Sequence, residues 1–224
     1  MTYRPGGERI LDIMSDIGYD AMTVGNREFH FSAVGFRAKV SHARFPVLCA
    51  NVRSHTVKVP TQPYIVDESN MGWRVVVFGL TVPMITVRMH ARRFSPFLFD
   101  DPLEVAASLV PELHRRFTPD ILIALSHLGL GRDRELAAAV PGIDLIIGGH
   151  SHDILKSGES CGEGAMIVQA GSHGAYIGRV EVVRKVRKDR PCAGESEDTV
   201  AAPESHCARG SRCRLDLSAS VEPL

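Results

Sequence analysis

The amino-acid sequence predicts an α/β (or α+β) fold built in layers. Short, continuous apolar runs at residues 121–125 and 145–147 are typical of strands that are buried on both faces of a sheet. Helical periodicities separate such runs, and hairpin-like strands follow them, which indicates a layered domain. The 224 residues suit one domain with a tail, and a hydrophobic fraction of 44% is enough to form a core.

The first half opens with an amphipathic helix. Apolar residues recur at helical spacing from Ile10 to Ile17, which predicts a helix over residues 7–17 that Gly18 ends. Ser32 is a suitable N-cap for a second helix. The elements predicted next, in chain order, are a strand at 19–24, a turn at 25–28, a helix at 32–40, a strand at 45–50 and hairpin strands at 64–66 and 73–79.

The second half begins with a strong helix start. Asp101 can cap the helix, Pro102 fits its first turn and Glu104 completes a capping box, so a helix is predicted over residues 101–117. The elements predicted after it are a strand at 121–125, a helix at 132–140, a strand at 145–147 and strands at 166–169 and 176–186.

A polar tail follows the domain. We expect residues 1–188 to form the folded part and residues 189–224 to be disordered, because the tail has no aromatic residue and no periodic apolar pattern. The alternative for the tail is a zinc site, although the spacing of its candidate ligands matches no standard finger. Those ligands are Cys192, His206, Cys207 and Cys213.

Composition excludes several classes of protein. The 26 basic residues balance 26 acidic ones and aromatic residues make up only 6%, which argues against a nucleic-acid partner. No apolar run approaches the roughly 18 residues that a membrane span needs. Residues 1–8 lack the apolar core of a signal peptide, so the sequence as written predicts a cytoplasmic protein without a membrane partner.

Histidines follow two of the predicted buried strands directly. His150 and His152 lie in the run Gly148-Gly149-His150-Ser151-His152, and His127 follows the strand at 121–125. Two imidazoles this close can serve one metal ion or two adjacent ions. Since ligands gather at the carboxyl ends of parallel strands, we expect these side chains to form one site.

An asparagine in the turn at 25–28 is a further candidate. Asn26 taken alone is a turn residue, but beside the histidines it becomes a candidate amide-oxygen ligand for a metal. His30 and His173 are weaker candidates, for which an ordinary loop histidine is the alternative.

These motifs, in this order, resemble the calcineurin-like metallophosphoesterases, in the branch of the 5′-nucleotidases and UDP-sugar hydrolases. The resemblance implies a four-layer α/β/β/α sandwich, two divalent metal ions (Mn, Zn, Fe or Ni) and hydrolysis of a small, nucleotide-like phosphate ester by a metal-activated hydroxide. It covers about residues 5–186 and depends on the segments 18–29, 50–52, 77–81, 126–129, 144–152, 169–171 and 176–178.

The resemblance also implies roles for individual residues. Asn26, His127 and His150 would ligate one metal and His152 the other. Asn26 and Arg27 would contact the substrate, and Arg27 and His150 would be catalytic. Arg27 stands where the family carries a histidine, so it can pair with a phosphate oxygen but cannot act as a general acid.

Two departures from the family pattern leave two interpretations of the function open. The family's Asp-x-His and Gly-Asp motifs, which supply most ligands of the first metal, do not occur before Gly25. We therefore expect a sandwich without its first strand, from a chain that begins after both motifs and whose full-length relatives are often exported. The family's C-terminal substrate domain is not recognisable either. The chain is then an active metal-dependent phosphoesterase or, alternatively, a non-catalytic fragment that binds one metal weakly or none.

Overall fold

The computed structural model describes residues 9–30, 32–68, 72–84, 96–161, 164–185 and 214–224. Its centre is a six-stranded mixed sheet that is packed against helices, so the predicted α/β class is confirmed. Two-stranded sheets lie beside it. No helix in these described ranges is both long and apolar enough to cross a bilayer.

The predicted elements appear in the predicted order, together with short strands that were not predicted. The helices are α1 (Arg9–Ile17), α2 (Ala33–Val40), α3 (Pro102–Phe117) and α4 (Leu130–Ala139), and a 3₁₀ helix covers Asn26–His30. The strands are β1 (Met22–Thr23), β2 (Val47–Leu48), β3 (Val52–Arg53), β4 (Tyr64–Glu68), β5 (Arg74–Thr81), β6 (Leu98–Phe99), β7 (Ile121–His127), β8 (Leu145–Ile147), β9 (Glu159–Cys161), β10 (Ala165–Val168), β11 (Tyr176–Lys185) and β12 (Arg214–Pro223).

The central sheet has the order β4-β5-β7-β8-β10-β9. Its four inner strands are parallel, and both edge strands run antiparallel to their neighbours. The register places Thr81 opposite His127 and Leu125 opposite Ile147. The carboxyl ends of β5, β7 and β8 therefore meet at one edge of the sheet.

The main core lies between this sheet and the helices α3 and α4. Asp101 caps α3 as predicted, because its side chain accepts from the N–H groups of Leu103 at 2.9 Å and Glu104 at 3.2 Å. The fully buried side chains of this core come from both layers and include Val76, Phe78, Leu80, Val110, Leu113, Leu122, Leu136 and Ile146. Their burial holds the strand ends in place.

A second, smaller layer packs against β5. The strands β1 and β2 pair in parallel, with Met22 opposite Val47. Gly79 of β5 lies so close to Leu48 that a Cβ atom added there would be 2.6 Å from the Leu48 carbonyl carbon. The Ala50 N–H also donates to the Gly79 carbonyl at 2.7 Å. Gly79 thus fixes how closely the strand pair that leads to Asn26 approaches the central sheet.

The end of the chain differs from the predicted disordered tail. Arg214–Pro223 forms β12, which pairs antiparallel with β11 from Tyr176 opposite Pro223 to Lys185 opposite Arg214. Leu215, Leu217 and Val221 alternate with polar residues, which is a strand pattern that the short segment does not reveal until a partner strand is present. Residues 186–213, with the alternative zinc ligands, lie outside the described ranges.

Candidate functional site

Three segments that are distant in sequence bring their polar side chains together at the strand ends. The Asn26 Oδ1 atom lies 3.1 Å from His127 Nε2, across 101 positions of sequence. His150 Nδ1 lies 3.3 Å from the same His127 nitrogen. The structure thus gathers the three residues that the sequence analysis assigned to one metal.

The spacing of these atoms fits one metal ion. Tetrahedral ligands at roughly 2.1 Å from an ion lie about 3.4 Å apart, and both measured distances are close to that value. One amide oxygen and two imidazole nitrogens suit a borderline divalent cation. Among the residues that the structure describes, no group of three or more His, Cys, Asp or Glu side chains has the geometry to hold a metal, so the fit is for one ion ligated partly by Asn26.

The protonation of His127 favours ligation. Burial lowers the pKa of His127, the neighbouring His150 and His152 lower it further, and only the carboxylate of Glu28 raises it. The imidazole is therefore neutral at physiological pH, and a neutral imidazole keeps a lone pair for a metal.

The loop after β8 holds its two histidines in a strained backbone conformation. His150 has φ 75° and His152 has φ 65°, in the left-handed region that costs non-glycine residues on the order of 1 kcal/mol or more. Ser151 between them accepts from the Leu130 N–H at 3.0 Å and donates to Asp153 at 2.6 Å. When the buried Gln169 amide is assigned with its oxygen toward this loop, the oxygen accepts from the His152 N–H at 3.0 Å.

An ion pair holds the turn that carries Asn26. Glu28 accepts from the Gly25 N–H at 2.7 Å and pairs with Lys39 of α2 at 2.8 Å, where both side chains are largely buried. A Cβ atom at Gly25 would lie 2.9 Å from the His127 ring, so only glycine fits there. The roles of Glu28 and Lys39 could not be predicted from the sequence, because they depend on a contact between two helices.

The other candidates take different positions. Arg27 is exposed on the 3₁₀ helix beside Asn26. His152 is also exposed, and its ring lies 5.9 Å from that of His173, centroid to centroid. The side chain of His30 lies outside the described part of the chain.

A buried carboxyl group contacts the strand end that carries His127. Asp133 of α4 is fully buried and accepts a short hydrogen bond from Ser126, which precedes His127. The Leu128 N–H in turn donates to Ser126 Oγ at 3.2 Å. The second carboxyl oxygen of Asp133 packs against Gly148 and has no hydrogen-bond partner among the described residues. The role of Asp133 could not be predicted from the sequence, because an acidic residue in the first turn of a helix usually faces solvent.

As the pH rises from about 4 to above 6, the free energy of unfolding is expected to fall less in the Asp133→Asn variant than in the wild type. Burial raises the pKa of Asp133 from 3.8 to about 6, so the folded chain retains a proton that the unfolded chain releases. The wild type therefore gains this stability below about pH 4 and loses it as the pH passes 6. A pKa difference of about two is worth on the order of 3 kcal/mol. Urea unfolding at pH 4 and pH 7 measures the difference.

The amide stays neutral at both pH values, so the variant should lack this component. Asp67→Asn, on the exposed side of an edge strand, is the control and should keep the wild-type slope. A wild-type pH dependence in the Asp133→Asn chain would contradict the assignment.

Known proteins resemble this chain in sequence and in structure, although no family model matches it. The trifunctional nucleotide phosphoesterase YfkN of Bacillus subtilis is 33% identical over 208 residues, which cover 77% of this chain and 14% of that protein. The 5′-nucleotidase of Vibrio cholerae is 31% identical over 197 residues, or 75% of this chain and 35% of the relative.

Solved structures agree. The 5′-nucleotidase precursor of Thermus thermophilus superposes with a TM-score of 0.67 at 30% identity, over 79% of this chain and 38% of that one. The relatives and structural neighbours of this chain are 5′-nucleotidases and calcineurin-like phosphoesterases. The structure of the calcineurin-like phosphoesterase YfkN from Bacillus subtilis has the same fold, with a TM-score of 0.73 at 23% identity over 96% of this chain and 66% of its own.

These relatives and solved structures confirm the resemblance that the motifs indicated. This chain spans about one seventh of the length of the Bacillus relative and about one third of the Vibrio one. The activity, substrate and cofactor of a calcineurin-like phosphoesterase are therefore taken up as proposals for this chain.

Proposed function

We propose that this chain acts as a metal-dependent phosphoesterase on small, nucleotide-like phosphate esters. One observation carries the proposal. Asn26 Oδ1 and His150 Nδ1, from two separate segments, lie 3.1 Å and 3.3 Å from the same atom, His127 Nε2, in a third segment. A divalent ion bound there would supply an activated water and neutralise charge on the phosphoryl oxygens. The names of the relatives support the class of substrate.

The chain's own residues would prepare the ligands. The neutral imidazole of His127 offers its Nε2 lone pair, and the left-handed backbone at His150 turns that ring toward His127. Lys39 holds Glu28, and Glu28 holds the backbone at Gly25, so the Asn26 amide keeps its place before any ion binds. Such preorganisation limits the ordering cost of binding.

Arg27 would bind the substrate phosphate. Its side chain is exposed one residue after Asn26, and a guanidinium pairs with phosphate oxygens in a two-point contact. A guanidinium remains protonated at neutral pH and cannot donate a proton to a leaving group. His150 would contribute as a ligand and border the substrate. The site should therefore prefer esters whose leaving groups need no general acid.

Arg27→His is expected to raise hydrolysis of AMP by roughly 10²-fold or more, because the imidazole restores a general acid beside the site. Hydrolysis of nitrophenyl phosphate should change far less, since nitrophenolate leaves without protonation. Initial rates on both substrates, with Mn²⁺ or Zn²⁺ added to the purified chain, measure the ratio.

Arg37→His, at an exposed position of α2, is the matched control and should leave both rates unchanged. Equal rates of the unaltered chain on AMP and nitrophenyl phosphate would contradict the role of Arg27. The absence of hydrolysis with any divalent ion would support the alternative of a non-catalytic fragment.

A further inference from the structure

A second pair of histidines lies at the ends of two loops beside the site. His173 follows β10, and its ring centroid is 5.9 Å from that of His152, with 72° between the ring planes. Both side chains are exposed. The Nδ1 atom of His173 lies 2.8 Å from Ser172 Oγ, which fixes the orientation of the ring.

Both loops adopt strained backbone conformations to bring these rings together. His173 has φ 61° and His152 has φ 65°, in the left-handed region that non-glycine residues seldom occupy. The His152 backbone is held by Gln169, and the Ala175 N–H donates to the Ser172 carbonyl at 3.3 Å in the turn that carries His173. Backbone strain of this kind persists only where the surrounding contacts enforce it, and it concentrates at functional sites.

The chemistry of the pair suits a metal. When the His173 Nδ1–H donates to Ser172 Oγ, the Nε2 atom keeps its lone pair, and a hydrogen bond to the far nitrogen is the usual arrangement of a ligating histidine. Two imidazoles on one ion have ring centroids about 5.5 Å apart, given metal–nitrogen distances of roughly 2.1 Å. The observed separation of 5.9 Å is within a small side-chain adjustment of that value.

We propose that His173 joins His152 as a ligand of one borderline divalent ion, such as Zn²⁺, in a two-imidazole site that water completes. This rests on the proposed metal-dependent function, because His152 is the residue that the family resemblance assigns to the second metal. It adds a ligand from the loop between β10 and β11. The ion held here is distinct from the one proposed for Asn26, His127 and His150.

The test is titration of the metal-free chain with Zn²⁺. Calorimetry gives the number of sites, and histidine-ring nitrogen NMR shows which nitrogens shift. His173→Ala is expected to weaken one class of site by at least about tenfold while the other is retained, since even groups that only orient a ligand cost that much when removed. In the unaltered chain, the Nε2 resonances of His152 and His173 should shift together.

Matched variants separate the two proposals. His127→Ala should affect the other class of site and leave the His173 shift intact, whereas His55→Ala, which removes an exposed histidine after β3, should change neither. Circular dichroism confirms that each variant is folded. A His173→Ala chain that binds Zn²⁺ as the unaltered chain does would overturn the inference. If the titration detected only the site that depends on His173, the proposed function would be contradicted, but His173 would still be a metal ligand.

Discussion

His127→Ala is expected to abolish metal binding between Asn26 and His150 and to lower phosphoesterase activity by at least about 100-fold. His127 Nε2 is the atom that both neighbours approach, at 3.1 and 3.3 Å, so its removal leaves two ligands without a shared centre. Removal of a group that merely orients a ligand already costs 10- to 100-fold. Metal content after dialysis and initial rates on nitrophenyl phosphate measure the two effects.

His55→Ala is the control for this experiment as well, because it removes an exposed imidazole that is not among the proposed ligands. The thermal unfolding midpoint of both variants should stay near that of the unaltered chain when no metal is present. If His127→Ala bound metal and hydrolysed substrate like the unaltered chain, the ligand assignment would be wrong.

Gly79→Ala is expected to destabilise the fold by about 3 kcal/mol and to weaken metal binding with it. The added Cβ would lie 2.6 Å from the Leu48 carbonyl carbon and 2.7 Å from the Leu48 oxygen, so backbone must move against backbone. Overpacking of this kind costs about 1–3 kcal/mol or more, a large share of a domain's stability. Urea unfolding in metal-free buffer measures the loss.

Gly131→Ala is the matched control. This glycine lies in α4 with no atom within 4 Å of the added Cβ, so alanine should stabilise the helix by about 0.5–1 kcal/mol. Opposite signs at two glycines that receive the same methyl group would show that the approach to Leu48, and not the methyl group itself, is decisive. A neutral Gly79→Ala would mean that β2 can shift away from β5 at little cost.

The sequence predicted the parts of the fold that local patterns encode. The buried strands β7 and β8 and the capped helix α3 appear where continuous apolar runs and a capping motif placed them. The strand predicted at residues 45–50 shrank to Val47–Leu48, because its neighbours pair with other segments. The strands β3, β6, β9 and β12 were not predicted, since short strands at an edge or in a separate ribbon exist only through their partners.

The candidate site, too, could be predicted from the sequence only in part. Asn26, His127 and His150 were predicted because a turn or a loop directly after a strand marks them in the sequence, and the structure brings their side chains together. Lys39 and Asp133 were not, because each acts through a side chain on another element, Glu28 in one case and Ser126 in the other. No local pattern distinguishes them from surface charges on a helix.

The distance of 101 positions between Asn26 and His127 has a consequence for folding. Closure of a loop of that length costs entropy that the assembled sheet and cores must offset, so we expect the proposed ligands to come together only after the β1–β2 pair has docked on β5. A segment that contains only the loop after β8 would carry His150 and His152 without their partner. The proposed metal affinity would therefore be a property of the chain's long-range topology. Any change that loosens the docking of β1 would then weaken the proposed site without altering a ligand.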